Sequence, residues 1–291
     1  MPYEVLNATL LACEVDNTSG ERLLSRRLKT VVVTADIYRL QGSTVRAPSW
    51  TDFLSQIKAA REELAGVPGE AQGTAPIWYR GQSKSEHELI PSLLRHRSGV
   101  VKERALFEDY ERSASHLLGA GKTDWEMLND MQHYGLPTRL LDWTTVLGIA
   151  IAFALYDAND DSIDSAIFVL NPLALNALSG LREIKRVPGD SKFDYKKVYW
   201  DGDPFSPAYP IAIDGKLHSE RLRAQNGAFT VAGLDKNSLD EQAPQVVRKV
   251  LLPSSAKSEA RDFLEYANLN AFSVYPDIVG MARHIARRHF G

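Results

Sequence analysis

The spacing of apolar and polar residues changes along the chain, and with it the predicted structure. Two β-rich runs, "ATLLACEV" and "TVVVTADIYRL", flank the charged "SGERLLSRRLK" and predict strands within the first 45 residues. The pattern then turns helical. "SWTDFLSQIKAAREEL" predicts a helix that Ser49 or Thr51 can cap, with Phe53, Leu54 and Ile57 on one face. "AGVPGEAQGTAP" breaks the pattern as a flap or a connector. "IWYRGQ" reads as a short strand ending at Gly81. "VKERALFEDYERSASHLL" reads as a helix with Val101, Ala105, Leu106, Tyr110 and Ala114 on or near one face. "DWEMLNDMQHY" is a further helix that Asp124 can cap and Gly135 stops, with Pro137 restraining the restart.

Residues 146–157 are apolar almost all round, the pattern of a helix at the centre of a sizeable core. "DSAIFVLNP" follows as a buried strand. Residues 175–218 read as a long polar loop region. "RLRAQNGAFTVAG" and "QVVRKVLLP" predict two more strands, and "AKSEARDFLEYANL" and "YPDIVGMARHIARRH" two amphipathic helices. The whole is an α+β fold with helices grouped in the middle and strands at both ends. Residues 1–45 form a β-rich segment, integral or accessory, and residues 46–291 the main domain.

Composition narrows the picture. The 291 residues suffice for one large domain or two small ones, and 44% hydrophobic with 24% charged residues is a globular balance. A net charge of -3 argues against broad, non-specific wrapping of nucleic acid and leaves room for a local basic cleft. Cys13 is the only cysteine, which excludes an intrachain disulfide and a multi-cysteine zinc site and fits a reducing cytoplasm. The histidines show no metal-binding spacing, so no metal is expected. The longest apolar run, "VLGIAIAFALY", is about half of what a bilayer requires. "MPYEVLNATLLACEVD" has no basic start, so neither a leader nor a membrane span is expected.

The candidate chemistry lies in polar residues set within apolar sequence. Arg80, between Tyr79 and Gly81 at a strand end, needs a carboxylate or a bound anion, and Gly81 lets a ligand approach the backbone. Gln132 and His133 close a helix, where the histidine serves as a polar contact or a base. Arg139 and Asp142 are three apart and on a helical turn would face the same way and pair. Asp142, Thr144 or Thr145 can cap the apolar helix, and Trp143 packs or stacks on a ligand ring. Gln225, in a strand that breaks at Asn226-Gly227, is a turn-stabilising amide or a reader of an amide or a ribose.

These segments together resemble the FRG domain, named for an aromatic-Arg-Gly motif. "WYRGQSKSEHELIPSLLR" is similar to its opening, with Arg80-Gly81-Gln82 and then Leu89-Ile90-Pro91-Ser92-Leu93. "QHYGLPTRLLDWT", from Gln132 to Thr144, resembles its most specific segment, and "GIAIAFALY", "RLRAQNGAF" and "AFSVYPDIVGMARHI" its later blocks. The resemblance extends over residues 46–291. The family is common in bacterial and phage-associated proteins, which implies a defence or toxin effector.

A second resemblance, to ADP-ribosyltransferases, implies a mixed core of that type with a helical middle section. "WYRG" is similar to their aromatic-Arg-Gly strand. "DWTTVLGIAIAF" is similar to their Ser-Thr-Ser strand and the helix after it, and "RLRAQNGAF" to their acidic strand. Two positions depart: Asp142 stands where a serine is usual, and Gln225 where the catalytic glutamate is usual, with Glu220 five residues away. The resemblance implies NAD as substrate, a transferase or NAD hydrolase, and a protein or nucleic-acid acceptor. Arg80, His133, Asp142 and Gln225 would be catalytic. Arg80, Gly81, Gln82, Tyr134, Arg139, Trp143 and Thr144 would hold the nucleotide. Within that set, Arg139 binds a phosphate with Asp142 holding it, or Asp142 faces the ribosyl cation instead. Trp143 or Tyr134 stacks on nicotinamide, Gln225 positions a ribose hydroxyl, and His133 takes the acceptor's proton. Two alternatives stand beside this. One is a nucleic-acid binder or processor using "LLRHRSGVVKER" and "RHIARRHF"; the other is a noncatalytic nucleotide-sensing or interaction module using residues 175–218 as its surface.

Overall fold

Capping chemistry sets the ends of the early helices. The computed structural model describes residues 48–66, 76–118, 121–156, 160–187, 193–215 and 220–290. The strands expected in residues 1–45, Cys13 and most of "AGVPGEAQGTAP" lie outside the described residues. Helix α1 (Trp50–Ala65) begins at Ser49, whose hydroxyl and the Asp52 carboxylate cap each other's backbone amides. Strand β1 (Trp78–Gln82), the short α2 (Ser92–Arg95) and α3 (Gly99–Leu118) follow. Helix α4 (Asp124–His133) is capped by Thr123, with Glu126 returning the bond, and not by Asp124. Asp124 instead pairs with Lys196 at 3.0 Å. Gly135, at φ +84°, ends this helix in a conformation that favours glycine.

Strand β2 (Leu140–Thr144) leads into α5 (Leu147–Tyr156), a helix buried on nearly all sides. Then come β3 (Ser165–Leu170), α6 (Pro172–Ala177), β4 (Lys185–Val187), β5 (Ile211–Gly215), α7 (Glu220–Gln225) and β6 (Gly227–Val231). The chain continues through α8 (Leu239–Gln242), β7 (Val247–Leu252), α9 (Lys257–Tyr266), α10 (Ala271–Val274) and α11 (Ile278–Phe290). The result is a mixed α+β fold with a largely helical mid-section. Among the described residues no helix is long and apolar enough to cross a membrane.

The described strands form one seven-stranded sheet in the order β4-β5-β6-β2-β1-β3-β7, antiparallel except for the β4–β5 pair. On one face, α1, α5 and α9 pack Phe53, Ile151 and Leu264 onto Tyr79, Ile167, Val250 and their neighbours. On the same face, over β2, β5 and β6, α3 and α4 contribute Phe107, Trp125 and Leu128 to a second cluster. The opposite face buries Trp78, Leu141, Trp143, Phe168 and Leu175.

Three expectations change. Residues 175–218 are not a loop region. They supply β4 and β5, and Phe193, Tyr195 and Tyr199 from this stretch fill the cluster under α3 and α4. A π-helical turn, Lys197–Asp201, carries Tyr199 there. "RLRAQNGAFTVAG" is a helix and then a strand: the segment before Asn226 is α7, and pairing begins only at Gly227. Val101 is exposed, and Phe107 is the side chain α3 buries fully.

One ion pair lies inside this packing. The Arg139 guanidinium, 1% exposed, donates twice to Glu103 through Nε (2.7 and 2.9 Å) and once through Nη2 (2.6 Å), and its Nη1 reaches the Gly233 carbonyl at 2.8 Å. Tyr195 donates its hydroxyl to the same carboxylate. Burial opposes the Arg139 charge, but the hydrogen bonds and charge of Glu103 outweigh it and raise the pKa. Burial first, and Glu103 second, push the Tyr195 phenol well up, so it stays a donor. Removing one partner strands the other. Glu103→Ala should therefore cost about 3–5 kcal/mol in urea unfolding, while Glu103→Leu combined with Arg139→Met should recover most of it. A double variant no more stable than Glu103→Ala would show that the stranded charge is not the cause.

Candidate functional site

The sheet is weakly joined at its centre. Strands β1 and β2 pair at one position, Tyr79 opposite Thr144, whereas β1 pairs with β3 along all of Trp78 to Gln82 and β2 with β6 along all of Leu140 to Thr144. Beyond that bridge the strands part, and a cleft of about 250 Å³ opens between them. Strand alternation places Tyr79 and Gly81 on the α5 face of β1, and Arg80 and Gln82 on the opposite face with Trp78. The cleft is lined by residues of both sets, together with residues of α4, α5 and α7 and Tyr275.

Arg80 crosses this gap. Its Nη1 donates to the Asp142 carbonyl oxygen at 2.6 Å and lies 3.9 Å from the Asp142 carboxylate, while its buried Nε has no partner. Burial lowers the Arg80 pKa, with Asp142 opposing the shift and Arg95 adding to it. Asp142 is half-exposed (51%), the one acidic side chain among the described residues lining the cleft. Gln132, from the last turn of α4, donates its Nε2 to Asp142 Oδ2 at 3.0 Å and accepts the Thr138 hydroxyl proton on its Oε1. Gln82 lines the cleft at 8% exposure, and its Nε2 is a second buried donor without a partner. Each such unmet donor costs about 1–3 kcal/mol. His133 is exposed and lines the cleft. The aromatic side chains Tyr79, Phe153, Phe229 and Tyr275 complete the walls, with Phe153 and Tyr275 edge to face at 5.5 Å.

Arg80, Gly81, Gln82, His133, Asp142, Trp143, Thr144 and Gln225 thus line one cleft, although three act differently from expectation. A Cβ on Gly81 would sit 1.9 Å from the Ala150 carbonyl oxygen, so this glycine admits the α5 backbone rather than a ligand. Trp143 is 3% exposed and gives its indole N–H to Thr230, which makes it a packed side chain and not a stacking platform. Gln225 ends α7 instead of lying in a strand. Its Nε2 is committed to the Val274 carbonyl at 2.9 Å, and its own carbonyl takes the Thr144 hydroxyl at 2.6 Å. Thr144 in turn accepts from the Val146 amide at 3.1 Å and holds the start of α5, a role open on sequence to Asp142 and Thr145 as well.

Two expected residues fall outside. Arg139 does not pair with Asp142. The stretch is extended, so a spacing of three no longer places two side chains together, and Arg139 is spent on Glu103. Tyr134 is 64% exposed, edge-on to His133 at 4.9 Å, and does not line the cleft. Sequence reasoning named Gln132 without giving it a role and missed Phe153 and Tyr275 as walls. The signal for Gln132 was its place beside His133 in the same helix end. Nothing local marked Tyr275, which folding brings in from α10's far end.

The Gln225 amide has a definite orientation, which makes Gln225→Glu informative. The introduced carboxylate would face the Val274 carbonyl with no proton to share, and the variant should lose about 1–3 kcal/mol at neutral pH. The loss should shrink in acid, where the protonated acid regains a donor. Thermal melts at two pH values check this, and a melting temperature unchanged at neutral pH would contradict the assigned bond.

No curated protein and no solved structure matches the chain. Residues 75–162, a narrower span than 46–291 and the one that holds Arg80, Gln132, His133 and Asp142, match the family model of the FRG domain.

Proposed function

We propose that the cleft binds NAD and cleaves its nicotinamide–ribose bond, passing ADP-ribose to water or to a macromolecular nucleophile. The observation that carries this reading is the meeting of Arg80 and Asp142 across the gap in the sheet, inside aromatic walls. Heterolysis sends the bonding electrons to the ring nitrogen, which neutralises the pyridinium and leaves an oxocarbenium-like ribose. A carboxylate held in place beforehand stabilises that cation. Asp142 is so held, by Gln132, and half of it faces solvent space. Arg80 keeps donors for a phosphate or ribose oxygen. His133 at the rim is placed to take the acceptor's proton. The enclosed volume suits one ring-bearing end of a dinucleotide, with the rest outside. The reading is supported further by the convergence on the cleft of a Tyr-Arg-Gly strand, an Asp-Trp-Thr strand and the helix that bears Phe153.

One observation favours a second reading. Gln225, where the transferase resemblance would place a carboxylate, is a neutral amide tied to Val274, so a site that binds the nucleotide without turnover, a sensing module, also fits the geometry. The basic stretch proposed for nucleic acid has other uses in part: Arg104 pairs with Glu108 at 3.3 Å and lies over Trp200 at 5.1 Å.

Incubation with isotope-labelled NAD, with and without nucleic acid and cell protein, followed by mass spectrometry, separates the readings. Release of nicotinamide is expected. Arg80→Ala should abolish nucleotide binding in a folded protein. Asp142→Asn should keep binding and slow turnover by about 10²-fold or more. Binding of intact NAD without cleavage would move the assignment to the sensing module, and normal binding by Arg80→Ala would remove the cleft from both.

A further inference from the structure

We infer that the floor of the cleft reads a neutral amide edge, the H–N–C=O unit of a small planar ring, and rejects the corresponding carboxylic acid. The inference rests on the reading that the cleft is a ligand site, and not on any reaction performed there.

The pattern of spent and unspent hydrogen bonds carries it. Arg80 and Gln82 are two apart on β1 and leave the strand on one side, and their backbones are already paired with Phe168 and Ala166 of β3. What remains unspent is side-chain donor capacity: Nε of Arg80 and Nε2 of Gln82, both buried and without partners, on residues that line the cleft. The terminal torsion of a glutamine is soft, so a small rotation turns the Gln82 amide toward a ligand. Across the gap the polarity reverses. The Thr138 hydroxyl accepts the Leu140 amide at 3.2 Å and gives its proton to Gln132 Oε1. The Gln132 amide therefore cannot turn round, and it presents N–H to Asp142 Oδ2. That bond occupies Oδ2 and leaves the other carboxylate oxygen for a ligand.

One wall of the cleft thus offers donors and the other an acceptor, and a group that bridges them must accept on one side and donate on the other. A carboxamide or a lactam edge does so within one plane, and the rings of Tyr79, Phe153 and Tyr275 are placed to flank a flat ring. A carboxylate satisfies the donors but sets its second oxygen against Asp142, with like charges and no proton between them. Asp142 is on this view the residue that determines specificity, and Gln82 adds a donor to whichever oxygen faces it.

The test is a calorimetric titration of the full chain with nicotinamide, nicotinate and uracil, repeated with Asp142→Asn, Gln82→Leu and Gln82→Glu after circular dichroism has confirmed folding. Nicotinamide or uracil should bind at least about tenfold tighter than nicotinate, Asp142→Asn should remove most of that preference, and Gln82→Leu should weaken all three, as expected when a buried donor is deleted. Gln82→Glu, which puts an acceptor in the donor's place, should weaken the amide ligand as well and serves if the leucine variant does not fold. Nicotinamide bound by a protein that leaves NAD intact would support the amide subsite and overturn the cleavage reading. Uracil bound in preference to nicotinamide would support the subsite with a nucleobase as its source. Equal affinity for nicotinamide and nicotinate, no binding of any of the three, a preference that survives Asp142→Asn, or binding unchanged in both Gln82 variants would overturn the inference.

Discussion

A single bridge, Tyr79 opposite Thr144, joins the two central strands, and the chemistry of the cleft depends on it. Had β1 and β2 paired along their length, backbone groups would have satisfied one another and closed the sheet. Because they part, the Asp142 carbonyl takes its hydrogen bond from a guanidinium instead. Few side chains can do this and still serve a ligand. Arginine spreads five N–H donors over a rigid plane, so it holds a carbonyl with one edge and keeps others in reserve, whereas a lysine ammonium concentrates its charge at one point. Arg80 is at once the patch on a broken ladder and the principal donor of the gap.

The surroundings of the gap are held with unequal firmness. On one side, Gly81 lets the α5 backbone rest directly on β1, and no side chain intervenes that could adjust. At the other end, Thr144, Gln225 and Val274 form a chain of bonds that ties the β2–α5 junction to α7 and α10. Asp142 is steadied by the end of α4, through one amide whose orientation is set by Thr138. The walls are made by helices packed elsewhere, so the geometry of the cleft follows from two large apolar clusters on the same face.

Much of this frame was legible in the chain, and the parts that were not share a cause. Ser49, Gly135 and the apolar run of α5 announce their roles because caps, stops and buried helices act over a few neighbouring residues. Arg139 and Asp142 misled because a spacing of three means proximity in a helix and separation in a strand, and the apolar run beside them did not say which applied. Glu103 and Gly81 were opaque for another reason: the partners that explain them, Arg139 and Ala150, are distant in sequence. Residues 193–196 alternate aromatic with charged side chains and so read as polar, yet Phe193 and Tyr195, with Tyr199, fill the core under α3 and α4. The cleft residues that were recognisable are those whose polarity conflicts with their apolar surroundings, such as Arg80 and Asp142. Phe153 and Tyr275 gave no such conflict.

The two arms of the cleft are built at different distances along the chain. Gln132 and Asp142 are ten residues apart, and Arg80 and Asp142 sixty-two. Closing a short loop loses little chain entropy, and contacts between distant residues wait on the assembly of what lies between them. The acceptor arm joins the end of α4 to β2 across a short loop, while the donor arm needs β1 docked beside β2 and β3. The cleft is then a property of the completed sheet, and its two arms face each other only once the central strands have met.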